Sequence, residues 1–273
     1  MGPTFSCIGT YRAGTTWLYT VLYKHPDIYL PNEKELMFFS HHYEKGISWY
    51  EKFFDQAKDH QGRGDITPAY LSYREAPALI AKNYPDIKLI VSLRNPVDQI
   101  DSLYQLWLTR NYTDRDLKTA LETEDELLDN VLYHKHISDY LEHFNRDQIL
   151  VLLYDELKDN PKEFLKKVYN FLEVDEFFPE EAFKKQNAYR SPKSKILERF
   201  ISGTGDLLRQ MKLLKFKSIL NKTGISEKIK KINTSSKKKD TMPEDVRQRI
   251  NQHVSEDIKK LEELLNIKLS TWN

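Results

Sequence analysis

The sequence predicts an α/β fold in which a central parallel sheet is flanked by helices in three layers. The clearest observation is the run IKLIVSL at 87–93, which is apolar, rich in β-branched residues and bounded by Pro85-Asp86 and Asn95-Pro96, as a buried strand would be. Segments of this kind alternate along the chain with segments of helical periodicity, which is typical of a parallel sheet with crossover helices. The length agrees, because 273 residues with 40% hydrophobic content are enough for one α/β domain.

Each element follows from a local pattern. The first strand is predicted over 4–9, and the next helix over 15–24 has apolar residues at helical spacing before Pro26 ends it. Pro77 suits the first turn of a helix over 76–83, because that turn does not need its N–H. The remaining predictions are loops and short helices over 26–64, a helix over 97–110, a longer helical stretch over 115–144, a third strand over 149–154, and helices over 161–172 and 243–265.

Composition argues against several classes of protein. The formal net charge is +1, so no strong field favours a nucleic-acid partner. The only cysteine is Cys7, which excludes an internal disulfide and is expected to be a small buried strand residue. No apolar run of about 18 residues predicts a membrane span, and no charged-then-apolar leader precedes the first strand, so we expect a cytoplasmic protein. No cluster with metal-ligand spacing occurs in the sequence.

From Arg209 to Lys239 the composition becomes strongly basic, and Glu227 is the one acidic residue. One interpretation is a solvated, partly mobile helix and loop. The other is an electropositive lid or landing surface for an anionic acceptor. We therefore predict a single domain over 1–273, in which residues 209–240 are a lid or an acceptor-facing segment. The sequence does not predict the oligomeric state.

The segment GTYRAGTTW at 9–17 has the outline of a phosphate-binding loop directly after the first strand. Backbone N–H groups at a helix start bind anions, Gly14 lets the backbone approach a phosphate, and Arg12 adds a planar cation. A nucleoside-triphosphate loop has a lysine after its second glycine, where this sequence has Thr15. The segment therefore favours an anion site of another kind, and a simple glycine-bearing turn stays open.

A second motif, RNPVDQIDSLY, follows the strand predicted over 87–93. It places Arg94 at the strand end and Ser102 about two turns into the next helix, where the two side chains can hold a second phosphate. Ligands of parallel α/β sheets bind beyond the carboxyl ends of the strands, which is where both motifs fall. Two separate anion sites suit a nucleotide with phosphates at both ends of its ribose.

Together the two motifs resemble those of sulfotransferases that use 3′-phosphoadenosine 5′-phosphosulfate (PAPS). GTYRAGTTW is similar to their 5′-phosphosulfate loop and RNPVDQIDSLY to their 3′-phosphate motif. Further similar segments are NEKELMFFS, GISWYEKFF, GDITPAYL, ILVLLYDEL and LNIKLSTWN, so the resemblance covers nearly the whole chain. The sequence looks like bacterial members and the sulfotransferase domains of heparan sulfate modifying enzymes. The resemblance implies a P-loop-like fold, PAPS as cofactor, 3′,5′-diphosphoadenosine (PAP) as product, and no metal.

The resemblance also implies nucleotide-binding roles for individual residues. Arg12 replaces the family's usual lysine and is expected to contact the sulfate-bridging 5′-phosphate. Arg94 and Ser102 are expected to bind the 3′-phosphate. In the C-terminal half, the sequence YRSPK at 189–193 matches a basic loop that closes over the nucleotide. The other residues expected to bind the nucleotide are Ala13, Gly14, Thr15, Thr16, Trp17, Tyr189, Arg190 and Lys193.

A general base is implied as well. In heparan-type enzymes a glutamate in a Lys/Asn-Glu-x-x-Phe-Phe segment takes the proton from the acceptor, and Glu35 falls on that position. Glu35 and Arg12 are therefore the predicted catalytic residues. Asp65 is the second choice for the base, with a loop-capping carboxylate as the alternative. The candidate acceptor contacts are Lys34, Asp65, Phe39 and Tyr70, although a place in the core is the favoured interpretation for the aromatic residues among them.

Two departures from the family bear on the acceptor. Met37 stands where many relatives have a histidine, and Ile66 stands where some glycan-modifying relatives have a lysine. The second departure weakens the prediction of a heparan-like acceptor, and the acceptor stays open among a small molecule, a glycan and a lipid headgroup.

Two other functions remain as alternatives. The run ILVLLYDE at 149–156 resembles a magnesium-binding strand, which would suit a P-loop NTPase or kinase. The missing lysine and the arginine at the other strand end argue against that interpretation. The second alternative is a non-catalytic nucleotide-binding module of the same fold, against which the intact motif residues argue.

Overall fold

A five-stranded parallel sheet lies at the centre of the fold. The structure is a computed structural model that describes residues 1–57, 60–183, 191–192, 234–235 and 242–272. The strands in chain order are β1 (Phe5–Gly9), β2 (Ile28–Tyr29), β3 (Gly62–Ile66), β4 (Lys88–Leu93) and β5 (Ile149–Leu153). Their order across the sheet is β2-β3-β1-β4-β5. The predicted α/β class with a central parallel sheet is confirmed.

The register brings the carboxyl ends of three strands together. Cys7 of β1 pairs with Ile66 of β3 on one side and with Ile90 of β4 on the other. Because all the strands run in one direction, the chain leaves β1, β3 and β4 at the same edge of the sheet. The segments that follow these strands therefore lie beside one another.

Strands β2 and β3 fall in the stretch that was predicted to be loops and short helices. The sequence of β3 is GRGDI, whose glycines and aspartate are poor strand formers. A Cβ atom on Gly64 would lie 2.1 Å from the Phe5 ring, so a larger residue could not pair there. Packing against β1 thus decides the conformation of β3, and local propensity does not.

The helices of the described residues surround the sheet. The predicted helices agree to within about two residues at their ends, apart from the stretch 115–144, which divides into three. In chain order the helices are α1 (Thr15–Leu22), α2 (Phe38–His41), α3 (Ile47–Glu51), α4 (Ala76–Asn83), α5 (Pro96–Arg110), α6 (Leu117–Thr123), α7 (Asp125–Asp129), α8 (Tyr133–Leu141), α9 (Tyr154–Asp159), α10 (Pro161–Leu172) and α11 (Glu244–Leu265).

Capping explains the division of 115–144. The Asp116 side chain accepts a hydrogen bond from the Thr119 N–H at 3.0 Å and begins α6. At the start of α8, Asp257 of α11 accepts from the N–H groups of His134 and Lys135 at 2.8 and 3.0 Å. The start of α8 is thus capped by a carboxylate from a distant helix. A local sequence pattern could not predict this cap.

Two hydrophobic clusters cover the two faces of the sheet, as the three-layer prediction requires. Alternate residues of β4 point to opposite faces: Leu89, Val91 and Leu93 join one cluster with α4, α5, α8 and α11. Ile90 joins the other with α1 and α10. Cys7 is fully buried in the second cluster, as expected, and burial raises the pKa of its thiol to about 12.

The chain divides into two compact units, Met1–Lys184 with Met242–Asn273, and Lys185–Thr241. In the second unit the described strands β6 (Ser191–Pro192) and β7 (Thr234–Ser235) pair antiparallel. Tyr189, Arg190, Lys193 and most of the basic stretch 209–239 lie outside the described residues. The single domain over 1–273 and the lid over 209–240 stay predictions. No helix of the described residues is long and apolar enough to cross a bilayer, and the cytoplasmic location stays a prediction.

Candidate active site

The loop between β1 and α1 has the backbone shape of an anion site. Gly14, the residue before α1, has φ of 87°, which favours glycine. A Cβ atom there would lie 2.6 Å from Leu157 Cδ2 and 3.2 Å from Tyr154 Cδ2, so a side chain would not fit. The Ala13 carbonyl accepts a hydrogen bond from the Ser92 hydroxyl at 2.7 Å, which ties the loop to β4. The N–H groups at the start of α1 are thereby held in place for an anion.

Arg12 and Arg94 join the two predicted phosphate motifs directly. The Arg12 Nε donates to the Ser102 Oγ at 2.9 Å, across ninety residues of sequence. The Arg94 guanidinium donates in turn to the Arg12 carbonyl at 3.0 Å. Arg12 adopts φ of 64°, so the loop turns its backbone to make this contact. The three residues assigned to the two ends of the nucleotide lie in one connected group.

Arg94 carries a positive charge that is largely shielded from solvent. Its side chain is 16% exposed, and its Nε is buried without a hydrogen-bond partner among the described residues. The guanidinium lies 5.0 Å from the centre of the Tyr154 ring, and Asp98 is at 4.0 Å. A buried N–H group without a partner is costly, so an anionic ligand oxygen would complete this site.

A network of hydrogen bonds holds the backbone around Arg94. The Tyr133 hydroxyl lies 2.6 Å from the Arg94 carbonyl and 2.5 Å from the Gln99 Oε1. Gln99 donates to the Thr10 hydroxyl at 3.0 Å, which links this layer back to the loop after β1. The Asn95 side chain caps α5 by accepting from the N–H groups of the first turn. The strand end is therefore held on several sides.

The remaining loop residues have different exposures. Thr15 is 5% exposed and Trp17 is 9% exposed, whereas Thr16 faces solvent at the first turn of α1. The Trp17 ring meets Phe164 of α10 edge to face, with the ring centres 5.9 Å apart. Trp17 thus packs into the second hydrophobic cluster while its backbone lies at the helix start.

Glu35 lies on a tight turn before α2 and contacts the Lys34 ammonium. Its side chain is 35% exposed, whereas that of Lys34 is 17% exposed. Burial raises the pKa of the Tyr11 phenol, and the charges of Glu126 and Glu35 raise it further.

Asp65, Tyr70 and Phe39 are buried, with exposures of 2%, 0% and 1%. The Asp65 carboxylate accepts hydrogen bonds from the hydroxyls of Thr67 at 2.8 Å, and of Tyr50 and Tyr70 at 3.0 Å. Burial raises the pKa of Asp65, and these hydrogen bonds oppose the rise. These side chains lie beneath the Glu35 turn, so the structure separates them from the partly exposed Lys34 and Glu35.

The family follows from the comparison with known proteins. A model described as the sulfotransferase domain matches residues 4–262 of this chain. The chain belongs to the sulfotransferase family. The resemblance carried by the two phosphate motifs is thereby confirmed.

Curated relatives of this sulfotransferase-family chain include glycan-modifying enzymes. Heparan sulfate glucosamine 3-O-sulfotransferase 3A1 of Mus musculus is 32% identical over 179 residues, which cover 62% of this chain and 45% of that protein. Membrane-associated sulfotransferase kil1 of Dictyostelium discoideum is 36% identical over 115 residues, which cover 40% and 24%. The chain thus spans less than half the length of these relatives.

Solved sulfotransferases share the fold. The sulfotransferase from Alicyclobacillus acidocaldarius superposes with a TM-score of 0.73 at 22% identity, covering 100% of this chain and 99% of that chain. The sulfotransferase domain from the Synechococcus PCC 7002 olefin synthase gives a TM-score of 0.53 at 20% identity, covering 69% and 78%. The P-loop-like three-layer fold of the family is therefore confirmed.

The structure adds residues to the site that the sequence motifs did not indicate. Tyr154, the first residue after β5, contacts both Gly14 and the Arg94 guanidinium. Its position after a third strand of the same sheet was a usable signal, because the strand ends meet at one edge. Tyr133, whose hydroxyl contacts the Arg94 carbonyl, had no such signal. Trp272 packs against Tyr133 and lies in LNIKLSTWN, a segment similar to the family, although the resemblance gave it no role. No group of three metal-binding side chains occurs in the part of the chain that the structure describes.

Proposed function

We propose that this protein transfers a sulfuryl group from PAPS to a hydroxyl or amine of an acceptor. The main support for this proposal is that hydrogen bonds join Arg12, Ser102 and Arg94 at the carboxyl ends of two neighbouring strands. Two arginines there suit the two phosphate ends of one nucleotide. The left-handed Gly14 before the first turn of α1 supports an anion site there, and the buried Arg94 Nε supports a site for phosphate oxygens.

Each motif residue has a binding role in this proposal. Arg12 and the N–H groups of Gly14, Thr15 and Thr16 would hold the 5′-phosphosulfate end, with the adjacent residues Ala13 and Trp17 shaping the loop. Arg94 and Ser102 would hold the 3′-phosphate. The helix dipole of α1 adds to the attraction for the 5′ end. Tyr189, Arg190 and Lys193 stay in the proposal on the family resemblance alone.

The reaction requires that the donor and the acceptor be positioned, that the charge on the leaving phosphate be neutralised, and that one proton be transferred from the acceptor. PAPS supplies the sulfuryl group: its bond from sulfur to the 5′-phosphate oxygen breaks while a bond from sulfur to the acceptor oxygen or nitrogen forms. Glu35 takes the proton that the acceptor atom loses. Arg12 neutralises the negative charge that develops on the leaving phosphate of PAP. No metal is needed in this scheme.

The acceptor that we propose is a glycan. The named heparan sulfate relatives favour it, and Lys34, which is partly exposed beside Glu35, could contact an anionic sugar. Asp65, Phe39 and Tyr70 are buried beneath the turn, so we assign them a supporting role and not an acceptor contact. A small molecule and a lipid headgroup are the alternatives that an acceptor assay would test.

Thermal unfolding with PAP, set against ATP with magnesium, tests the nucleotide. A ligand at about 100 times its dissociation constant adds roughly 2.7 kcal/mol to the free energy of unfolding, which raises the melting temperature by several degrees. We expect the rise with PAP and not with magnesium-ATP. A rise with magnesium-ATP alone would overturn the proposal in favour of an NTPase or kinase. No rise with either would overturn the proposed nucleotide site, and with it both the sulfotransferase and the nucleotide-binding module.

A further inference from the structure

A buried cluster of hydroxyls and one carboxylate lies directly under the turn that carries Glu35. Its centre is Asp65 at the carboxyl end of β3, whose carboxylate receives hydrogen bonds from Thr67, Tyr50 and Tyr70. Tyr50 and Tyr70 are matched in several respects. Both are 0% exposed, and each donates its phenolic hydrogen to the Asp65 Oδ2 at 3.0 Å.

Tyr70 differs from Tyr50 in what its oxygen accepts. The Tyr70 Oη accepts from the Phe38 N–H at 2.9 Å and lies 3.4 Å from the Phe39 N–H. The backbone N–H of Leu36 also bonds the Asp65 carboxylate. The cluster therefore bonds the backbone on the C-terminal side of Glu35. Asp65 bonds the Leu36 N–H, and Tyr70 bonds the Phe38 N–H.

The turn needs this external support. Glu35 has φ of 63° and Met37 has φ of 54°, so two residues with side chains occupy the left-handed region close together. The first N–H groups of α2 have no partner within the helix, and no side chain caps it from Met37. Residues held in such conformations persist only where the surroundings determine them. The Tyr70 hydroxyl supplies a partner at that point.

We propose that Tyr70, held by Asp65, is a positioning residue that sets the direction of the Glu35 carboxylate for proton transfer. This inference rests on the proposed function, because it takes Glu35 as the general base. Tyr70 touches neither the nucleotide nor the acceptor in this scheme and acts through the backbone at Leu36 to Phe39. Tyr50, which donates to the same carboxylate oxygen, has no hydrogen bond to that backbone and provides the matched comparison.

The test compares Tyr70→Phe with Tyr50→Phe. Each variant keeps the ring and removes one buried hydroxyl bonded to Asp65, so both are expected to fold. The release of PAP from PAPS is measured with heparan sulfate, 4-nitrophenol and octyl glucoside as acceptor probes. We expect Tyr70→Phe to lower kcat about tenfold with an unchanged KM for PAPS, and Tyr50→Phe to stay within about twofold of the wild type.

The double variant with Glu35→Gln separates positioning from general loss of structure. If Tyr70 acts through Glu35, adding Tyr70→Phe to Glu35→Gln should lower kcat no further. A second tenfold loss in the double variant, or equal losses in Tyr70→Phe and Tyr50→Phe, would overturn the inference and leave the proposed base standing. Full activity of Glu35→Gln would overturn the base itself. A wild-type protein that forms no PAP with any probe would overturn the proposed function, and the inference with it.

Discussion

Arg12 and Arg94 are the residues on which the proposed nucleotide site depends, and each is held by a contact that its own segment does not provide. Arg12 is oriented by Ser102, and Arg94 by the Arg12 carbonyl and the Tyr154 ring. Glu35 belongs to a different segment and lies on a turn that is buried on one side only. If the proposed roles are correct, nucleotide binding and proton transfer depend on different side chains.

Glu35→Gln and Arg94→Ala should lose different functions. We expect Glu35→Gln to lower turnover by about 100-fold or more while PAP binds as in the wild type, because the amide cannot take the acceptor proton. Arg94→Ala should weaken PAP binding by about tenfold or more, because a hydrogen bond to a charged group is lost. Calorimetry with PAP and initial rates on an active acceptor measure the two effects. Weaker PAP binding in Glu35→Gln would contradict the separation.

The turn Ser270–Trp272 contacts the start of the 3′-phosphate motif and a residue that packs against it. Trp272 is 2% exposed, and its ring meets Tyr133 with the ring centres 5.8 Å apart. The Asn95 side chain donates to the Thr271 carbonyl at 3.1 Å. Because Tyr133 in turn contacts the Arg94 carbonyl, the turn restricts the segment that precedes α5.

Trp272→Ala is expected to weaken PAP binding about fivefold and to lower the melting temperature, because both the Tyr133 packing and the position of Arg94 are lost. Leu269→Ala is the matched control. Leu269 is equally buried four positions after α11, and its carbonyl accepts a hydrogen bond from the Trp272 N–H at 2.8 Å, which an alanine would keep. Leu269→Ala should lower the melting temperature and leave PAP affinity unchanged. Equal PAP affinities in Trp272→Ala and the wild type would contradict a role for this turn.

On the scale of the whole molecule, two carboxylates make the free energy of unfolding depend on pH in opposite directions. Burial raises the pKa of Asp65, so its contribution favours the folded protein at low pH and is lost as the pH rises through the folded-state value. A hydrogen bond from His136, and another from Lys135, lower the pKa of Asp129 to about 2. Its contribution is present above the ordinary value of 3.8 and is lost as the pH falls through about 2.

Asp129→Asn should therefore destabilise the protein at neutral pH but not in strong acid. We expect a loss of about 1 kcal/mol, which is less than the pKa alone would give because the carboxylate is partly exposed and screened. Urea unfolding between pH 2 and pH 7 measures the difference from the wild type. Asp159→Asn, which removes an exposed carboxylate of α9, controls for the change in net charge. A difference that stays constant down to pH 2 would contradict the assignment.

The sequence by itself determined the α/β class, the strands β1, β4 and β5, and the two phosphate motifs. These features depend on short-range patterns: buried strands are continuous apolar runs, and the motifs follow the strand ends. Glu35 is predicted as the base because its segment is similar to that of the family, and this role stays a prediction. The sequence could not divide the stretch 115–144, because the cap of α8 comes from Asp257 on a distant helix.

Only the tertiary structure decided the rest of the site. Strand β3 forms despite its low local propensity because it pairs with β1, and because Gly64 leaves room for the Phe5 ring of that strand. Asp65 was a candidate base or acceptor contact in the sequence, and the packing of β3 instead buries it under the Glu35 turn with Tyr50 and Tyr70. Contacts between residues far apart in the chain cannot be read from local patterns, since they depend on how the layers pack. For that reason the residues proposed to bind the nucleotide could be predicted from the sequence, whereas those that hold them in place could not.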